Sequence, residues 1–277
     1  MGSTNEQIEG MKQIQVEILR EFVSVCQRLQ LRYYLIAGTL LGAVRHRGFI
    51  PWDDDIDVAM PRTDYEVFVQ KGQALLPDGY FIQTNQTDPE YVNCFAKIRN
   101  SNTTFLETTA RKMKINHGVF IDVFPLDYYP DNVKDQKKLN RKKVMYERRI
   151  GLKYYYNEKP TLKSFLRRLV LITLYPSCKN VIRKRDKLYR TVPESSMLIN
   201  YGGAWGAREI TPKVWYGEGT NLVFEGLTVC APCQYEKWLT QIYGDYMQLP
   251  PVEKRVTHHY TDVIDLHKSY KEYVQNK

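Results

Sequence analysis

The chain has no long hydrophobic run. Its longest apolar stretch, Leu169 to Tyr175, is broken by Thr173 and falls far short of the ~18 residues that a membrane-spanning helix needs. No basic-then-apolar leader opens it either: Gly2 to Glu9 are polar, which argues against a secretion signal and for a cytoplasmic protein. Cysteine is scarce and odd in number, five in 277 residues, so a reducing compartment is expected rather than a disulfide framework. Cys230-Ala231-Pro232-Cys233 lacks the second cysteine pair that a structural zinc site requires and reads as incidental thiols. Internal repeats and low-complexity tracts are absent, and a composition of 43% hydrophobic and 13% aromatic residues excludes a disordered chain. The length accommodates one large domain or two small ones.

Charge is plentiful but unevenly placed. The net charge is +9, yet Asn132 to Arg190 holds nineteen Lys/Arg against four Asp/Glu, a local +15 that leaves −6 for the rest. Such asymmetry suits a polyanionic partner: nucleic acid, an anionic membrane surface or a phosphate-rich polymer. Within this region Phe165, Leu166, Leu169, Val170, Ile172, Thr173 and Leu174 interleave with Arg167 and Arg168. That pattern fits an amphipathic helix, on a membrane or on the protein's own core. The stretch carries no nucleic-acid reader motif, so no nucleic-acid partner is expected.

The densest chemistry lies in Ile50-Pro51-Trp52-Asp53-Asp54-Asp55-Ile56-Asp57-Val58, downstream of Ile36-Ala37-Gly38-Thr39. On a strand, residues two apart share a face. Asp53, Asp55 and Asp57 are therefore expected to project together, with Asp54 of the wrong parity, either backing the other acids or at the surface. Like charges on one face repel unless a cation sits between them, and hard oxygen ligands favour Mg²⁺ or Mn²⁺. A third acid, Asp122, interrupts the apolar run Val119 to Phe124, where an unpaired carboxylate is costly. Gly38-Thr39, at the end of an expected strand, would offer backbone N–H groups, a hydroxyl and a helix N-terminus to phosphate.

Periodicity predicts a leading helix over Gln7 to Leu29 and a first strand over Tyr33 to Ala37. A short helix from Leu40 to His46 follows, then the acidic strand over 55–60 and a helix from Pro61 to Leu76. Further strands are expected near Tyr80–Gln83, Tyr91–Arg99, Thr103–Thr108 and Val119–Phe124. The basic region reads as helical to Arg190, and Tyr201 to Gly226 as loops and short strands. Glu236 to Tyr243 reads as a helix that Gly244 ends, and the tail from Lys268 as frayed.

A small turn after a strand, an Asp-x-Asp strand and a third acid in another strand together resemble the nucleotidyltransferase (polymerase-β-like) fold. The fuller text is similar to the LicD family, which includes bacterial phosphocholine transferases and fukutin-related ribitol-phosphate transferases. It comprises Gly38-Thr39-Leu40-Leu41-Gly42-Ala43-Val44-Arg45-His46, Pro51-Trp52-Asp53-Asp54-Asp55-Ile56-Asp57 and Ile121-Asp122-Val123-Phe124-Pro125-Leu126-Asp127. Lys97-Ile98-Arg99, Tyr243-Gly244-Asp245-Tyr246-Met247 and Leu249-Pro250-Pro251 extend the match. The Gly38-to-Asp55 gap is longer than in the wider fold but suits this subgroup. No clustered cysteines resemble the zinc module of the fukutin-related proteins.

The resemblance implies an α+β fold: a mixed sheet flanked by helices, with a basic helical insertion. The expected organisation is a catalytic core over 1–130, the insertion over 131–190, and 191–277 completing the catalytic domain. The implied reaction moves a phospho-alcohol from a CDP-linked donor to a hydroxyl of a cell-surface glycan, lipid-linked glycan or teichoic-acid precursor, releasing CMP. Asp55, Asp57 and Asp122 would hold Mg²⁺ or Mn²⁺ and act in catalysis, with Asp53 as a further acid. Gly38 and Thr39 would touch donor phosphate, and Arg45, Lys97 and Arg99 would neutralise developing charge. His258, after Lys254-Arg255, would bind phosphate. Tyr201, Trp205, Trp215 and Tyr216 are candidates for an aromatic cage around choline, although ribitol, glycerol and ethanolamine stay open. The alternatives are a nucleotidyltransferase that uses an NTP and releases pyrophosphate, and a basic nucleic-acid-binding protein. A basic, amphipathic side would also favour peripheral contact with an anionic inner membrane face.

Overall fold

The computed structural model describes residues 5–154, 161, 166, 169, 178–257 and 260–274. Helix α1 (Asn5–Leu29) starts within two residues of its expected position, and its apolar stripe of Met11, Ile18, Leu19, Phe22 and Val25 is fully buried. It lies against the sheet and ties it to the acidic segment: Gln15 donates from Nε2 to the carbonyls of Asp54 (3.0 Å) and Phe120 (3.2 Å).

The first strand, β1, is only Tyr34–Leu35, and helix α2 (Ala37–His46) begins at once. Gly38 and Thr39 therefore form the first turn of a helix rather than a separate turn before it. The strand is short because Ala37 takes a positive φ of 50°, which breaks the extended run. The acidic strand also starts late, as β2 (Asp57–Pro61), so Asp53 to Ile56 lie ahead of it. The amide of Asp53 closes a turn on the Ile50 carbonyl at 2.9 Å, which removes the strand parity assumed for this block. Helix α3 (Arg62–Lys71) follows, and the predicted helix ends in a 3₁₀ turn at Gly72–Leu75.

Strand β3 (Tyr80–Gln83) falls where expected, whereas β4 is confined to Ala96–Asn100 and leaves 91–95 as loop. Strand β5 (Thr104–Glu107) departs from the main sheet to pair with a strand near the C-terminus. The spine of the fold is β6 (Val119–Tyr129), longer than predicted because it continues through Pro125. The Asp122 amide donates to the Ile56 carbonyl, so even-numbered amides of this segment face β2. Pro125 therefore has its nitrogen on the opposite side. There β4 has already left (Ala96 opposite Val123) and the next strand joins only at Leu126. The missing N–H costs no ladder bond.

Helix α4 (Val133–Tyr154) packs on α5 (Lys179–Arg190), as the helical reading of the basic region expects. The amphipathic stretch from Phe165 to Leu174 lies outside the described residues except for Leu166 and Leu169, both exposed. Strand β7 (Met197–Asn200) joins the far half of β6, and β8 (Ile210–Pro212) joins β7. The hairpin β9 (Thr220–Phe224) and β10 (Leu227–Ala231) precedes α6 (Tyr235–Tyr243), which Gly244 ends at φ 73°. Strand β11 (Thr261–Asp265) pairs with β5, and α7 (Lys271–Val274) closes the described chain. The tail is not frayed over these residues: Tyr270 N–H bonds the Thr103 carbonyl and Thr104 Oγ1 bonds that of Lys268.

The main sheet runs β1-β2-β6-β4-β3, with β7 and β8 continuing from β6, and only the β2–β6 pair is parallel. It is the mixed, helix-flanked α+β sheet expected from the sequence. Its central strands supply the core residues Val58, Met60, Ile98, Ile121 and Val123, all fully buried.

Candidate active site

Register, not sequence proximity, assembles the site. Asp57 on β2 stands directly opposite Asp122 on β6, and Asp122 directly opposite Lys97 on β4. Paired positions share a sheet face, so three adjacent strands carry a row Asp57–Asp122–Lys97. The Lys97 ammonium lies 2.7 Å from Asp122 Oδ1 and 3.2 Å from the Phe120 ring centre, with Lys97 and Asp122 both almost fully buried. Buried acids and bases of this kind are tolerable only when paired.

Lys97 serves more than one acid. Burial pushes the Asp57 carboxyl well above the usual carboxylate range; Asp55, then Asp122, then Asp53 push it further, and Lys97 opposes them. Carboxylate oxygens of Asp53, Asp54 and Asp55 also lie within 4.8 Å of one another. Of the two readings of Asp54, the surface one does not hold: it is buried beside Asp53 and Asp55, because the segment before Asp57 turns instead of alternating. The expected trio of Asp55, Asp57 and Asp122 is brought into one electrostatic neighbourhood, while the tightest grouping is Asp53–Asp55. This set of hard oxygen donors, with its accumulated negative charge, fits a divalent cation.

The start of α2 holds these acids in place. Thr39 Oγ1 accepts the Asp57 amide at 2.8 Å. A side chain at Gly38 would overlap the Asp53 carboxylate, which therefore needs glycine beside the helix's positive end. Farther along α2, Arg45 donates to the Tyr246 carbonyl at 2.7 Å and so ties the helix to the Tyr243–Met247 segment. Arg255 stacks over Trp52, the neighbour of Asp53, at 5.3 Å, and donates to the Pro250 carbonyl.

Arg99 is separated from the acids although only one residue divides it from Lys97. It is fully buried and spends its guanidinium on Gln83 Oε1 (2.7 Å), the Gly118 carbonyl (2.8 Å) and Glu107 (3.5 Å). It has no surface to offer a substrate and serves the sheet instead. His258 lies outside the described residues.

The four aromatics of the expected cage do not converge. Tyr216 is core, its hydroxyl bonded with Thr211 and Trp238; Tyr201 stacks at 4.0 Å on Tyr189; Trp215 packs against the main core. Only Trp205 stays exposed, and its ring meets Tyr243 edge-on at 5.1 Å. Tyr243 is the aromatic that residue reading missed as a site component. Burial raises its hydroxyl pKa, and Asp57, Asp53, Glu209 and Asp55 each raise it further, so it stands between the acid group and the Trp205 loop. Its signal was the Tyr243-Gly244-Asp245 text, which carried no assigned role.

Residues 30–156 match the family described as LicD/FKTN/FKRP, nucleotidyltransferase domain. That segment contains Gly38, all the clustered aspartates, Lys97 and Asp122. The lipopolysaccharide cholinephosphotransferase LicD of Haemophilus influenzae is 33% identical over 255 residues, covering 88% of this chain and 92% of its own length. The human and mouse ribitol 5-phosphate transferases FKRP are each 46% identical over 44 residues, 16% of this chain and 9% of theirs.

Proposed function

The chain belongs to the LicD/FKTN/FKRP family, and from that premise we propose that it is a phosphotransferase. It moves phosphocholine from CDP-choline to a hydroxyl of a cell-surface glycan or lipid-linked glycan precursor and releases CMP. The observation that carries this reading is the row Asp57–Asp122–Lys97, flanked by Asp53 and Asp55, within the segment matched to the family.

The nucleotidyltransferase character of the sheet belongs to this reading, as does completion of the catalytic domain by residues 191–277. Asp53, Asp55 and Asp57 would hold Mg²⁺ or Mn²⁺, with Asp122 beside them. The ion would neutralise the donor diphosphate and make its distal phosphorus more electrophilic. Asp122, steadied by Lys97, orients the acceptor hydroxyl and takes its proton as the new P–O bond forms and the bond to CMP breaks. Lys97 offsets the charge that develops. Thr39 uses its oxygen on the Asp57 amide and keeps its proton for a donor phosphate oxygen. Arg45 acts by fixing the Tyr243–Met247 segment.

The acceptor's carrier explains the basic side. Lys134, Lys137, Lys138, Arg141, Lys142 and Arg148 of α4 are exposed, as are five Lys/Arg of α5. No helix among the described residues is long and apolar enough to cross a membrane. The face suits adhesion to anionic lipid, worth about 1 kcal/mol per basic residue near the surface. Sedimentation with anionic vesicles, strong at low salt and lost at high salt, is the expected behaviour. Equal binding to neutral vesicles would remove this part.

The reaction is tested by following CMP and pyrophosphate with Mg²⁺ across CDP-choline, CDP-ribitol, CDP-glycerol, CDP-ethanolamine and CTP. CMP from CDP-choline supports the proposal. CMP from a different CDP-alcohol alone corrects the donor, and pyrophosphate from CTP alone replaces the reading with nucleotidyl transfer.

A further inference from the structure

Glu209 is a buried acid for which the reaction above has no use. It is 4% exposed, and no ion pair to it occurs among the described residues; its recorded partner is the Trp205 amide, 3.3 Å from Oε1. Burial pushes its carboxyl up to about 7, with the Trp205 amide opposing. A side chain at Gly203 would overlap this carboxylate, so the Gly202-Gly203 turn is shaped around it. Isolated buried carboxylates are expensive and hold a proton more readily, so an arriving cation would be what favours the charged form here.

Two routes connect Glu209 to the acid group. Along β6, Phe124 lies two positions beyond Asp122 on the same face; it packs on Phe95 at 4.3 Å, and both rings border Gly202. Phe95 in turn lies 5.7 Å from the Lys97 ammonium. From β2, Tyr243 feels Asp57, Asp53, Asp55 and Glu209 together, and its ring meets Trp205 edge-on. Trp205 is 40% exposed and already takes a cation, the Arg208 guanidinium 6.0 Å from its ring centre.

We propose that Trp205, Tyr243 and Glu209 form the subsite for the quaternary ammonium of the transferred group. Aromatic rings attract a trimethylammonium through their quadrupoles, and the buried carboxylate supplies the charge that water no longer can. Phosphocholine is short, with two carbons between its ester oxygen and its nitrogen. The ammonium site must therefore lie near the acid group, whose charges Tyr243 feels. The inference rests on the phosphocholine reading and adds the residues that select the headgroup.

Calorimetric binding of CDP-choline and of CDP, which lacks the headgroup, separates the two claims. Wild-type turnover of CDP-choline tests the reaction; the variants test the subsite. Trp205→Ala and Glu209→Gln are expected to weaken CDP-choline at least about tenfold while leaving CDP unchanged. Trp205→Phe, which keeps a ring, is expected to retain most of the preference. If wild type turns over CDP-choline but the variants keep the full preference for it over CDP, the subsite is wrong and the reaction stands. Equal weakening of CDP and CDP-choline would also overturn it, since that marks a purely structural role. CMP release from CDP-ribitol and none from CDP-choline would end both.

Discussion

The two halves of β6 carry one buried acid each, five residues apart, and treat it in opposite ways. Asp127, in the far half, receives two hydrogen bonds from Arg62, at 2.7 and 2.6 Å. Burial pushes its carboxyl up, and the Arg62 bonds and charge pull it back. Asp122, in the near half, shares a single ammonium with the Asp57 row across three strands. A bidentate guanidinium satisfies a carboxylate in a fixed geometry. The Lys97 ammonium points at Asp122 from one side and also opposes the raised pKa of Asp57, so it serves more than one acid. One half of the strand pairs a single acid with a fixed guanidinium; the other gathers several acids around one lysine on the neighbouring strand.

The largest break in this comparison is Asp57→Asn. It should lower turnover by about 10³-fold or more, as removal of a transition-state group does. Melting should not suffer, because a repelling charge is gone. A matching loss of melting temperature would mean that Asp57 is structural. Arg62→Ala should do the reverse: it strands Asp127 and costs about 3–5 kcal/mol in urea unfolding. The folded fraction should keep its CDP-choline affinity.

Glu209→Gln sharpens the contrast through pH. The folded value of about 7 stands above the ordinary 4.5, so the fold favours the protonated form. Stability is whole below about pH 4.5 and falls as pH rises through 7. The variant should gain about 3 kcal/mol near pH 8 and nothing near pH 4. Parallel stability–pH curves for the two proteins would refute the assignment. Lys97→Met should have the smallest effect on kcat/KM, about ten- to a hundredfold in the folded fraction, although it also strands buried Asp122 and lowers stability. Losing that cation raises Asp57 further, so the acid limb of the rate profile should move to higher pH. A limb that stays in place would take Lys97 out of the site.

Much of this centre was legible in the text of the chain. The aspartates stand out because carboxylates beside Ile56 and Val58 make no sense as a solvated loop, and Asp122 because it interrupts an apolar strand. Parity alone left Asp54 between a backing role and the surface, because it assumes a strand that the turn after Ile50 withdraws. Lys97 and Arg99 read alike, yet only the partners across the sheet decide that one reaches the acids while the other braces Gln83 and Gly118. Trp205, Glu209 and Tyr243 were illegible as a set. Their meeting depends on how the segments after β7 and α6 close over the sheet, which no local period encodes. The pairing of β5 with β11 was hidden for the same reason.

Pro125 has a further consequence for how the protein reaches this state. Sliding β6 by one position would carry Asp122 to the opposite face of the sheet and dissolve the row with Asp57 and Lys97. The same slide would turn the imide nitrogen of Pro125 toward β2, where the ladder expects a donor. The misaligned chain would forfeit a hydrogen bond that the aligned one never requires. A one-step misalignment would therefore cost a ladder hydrogen bond as well as the row of Asp57, Asp122 and Lys97.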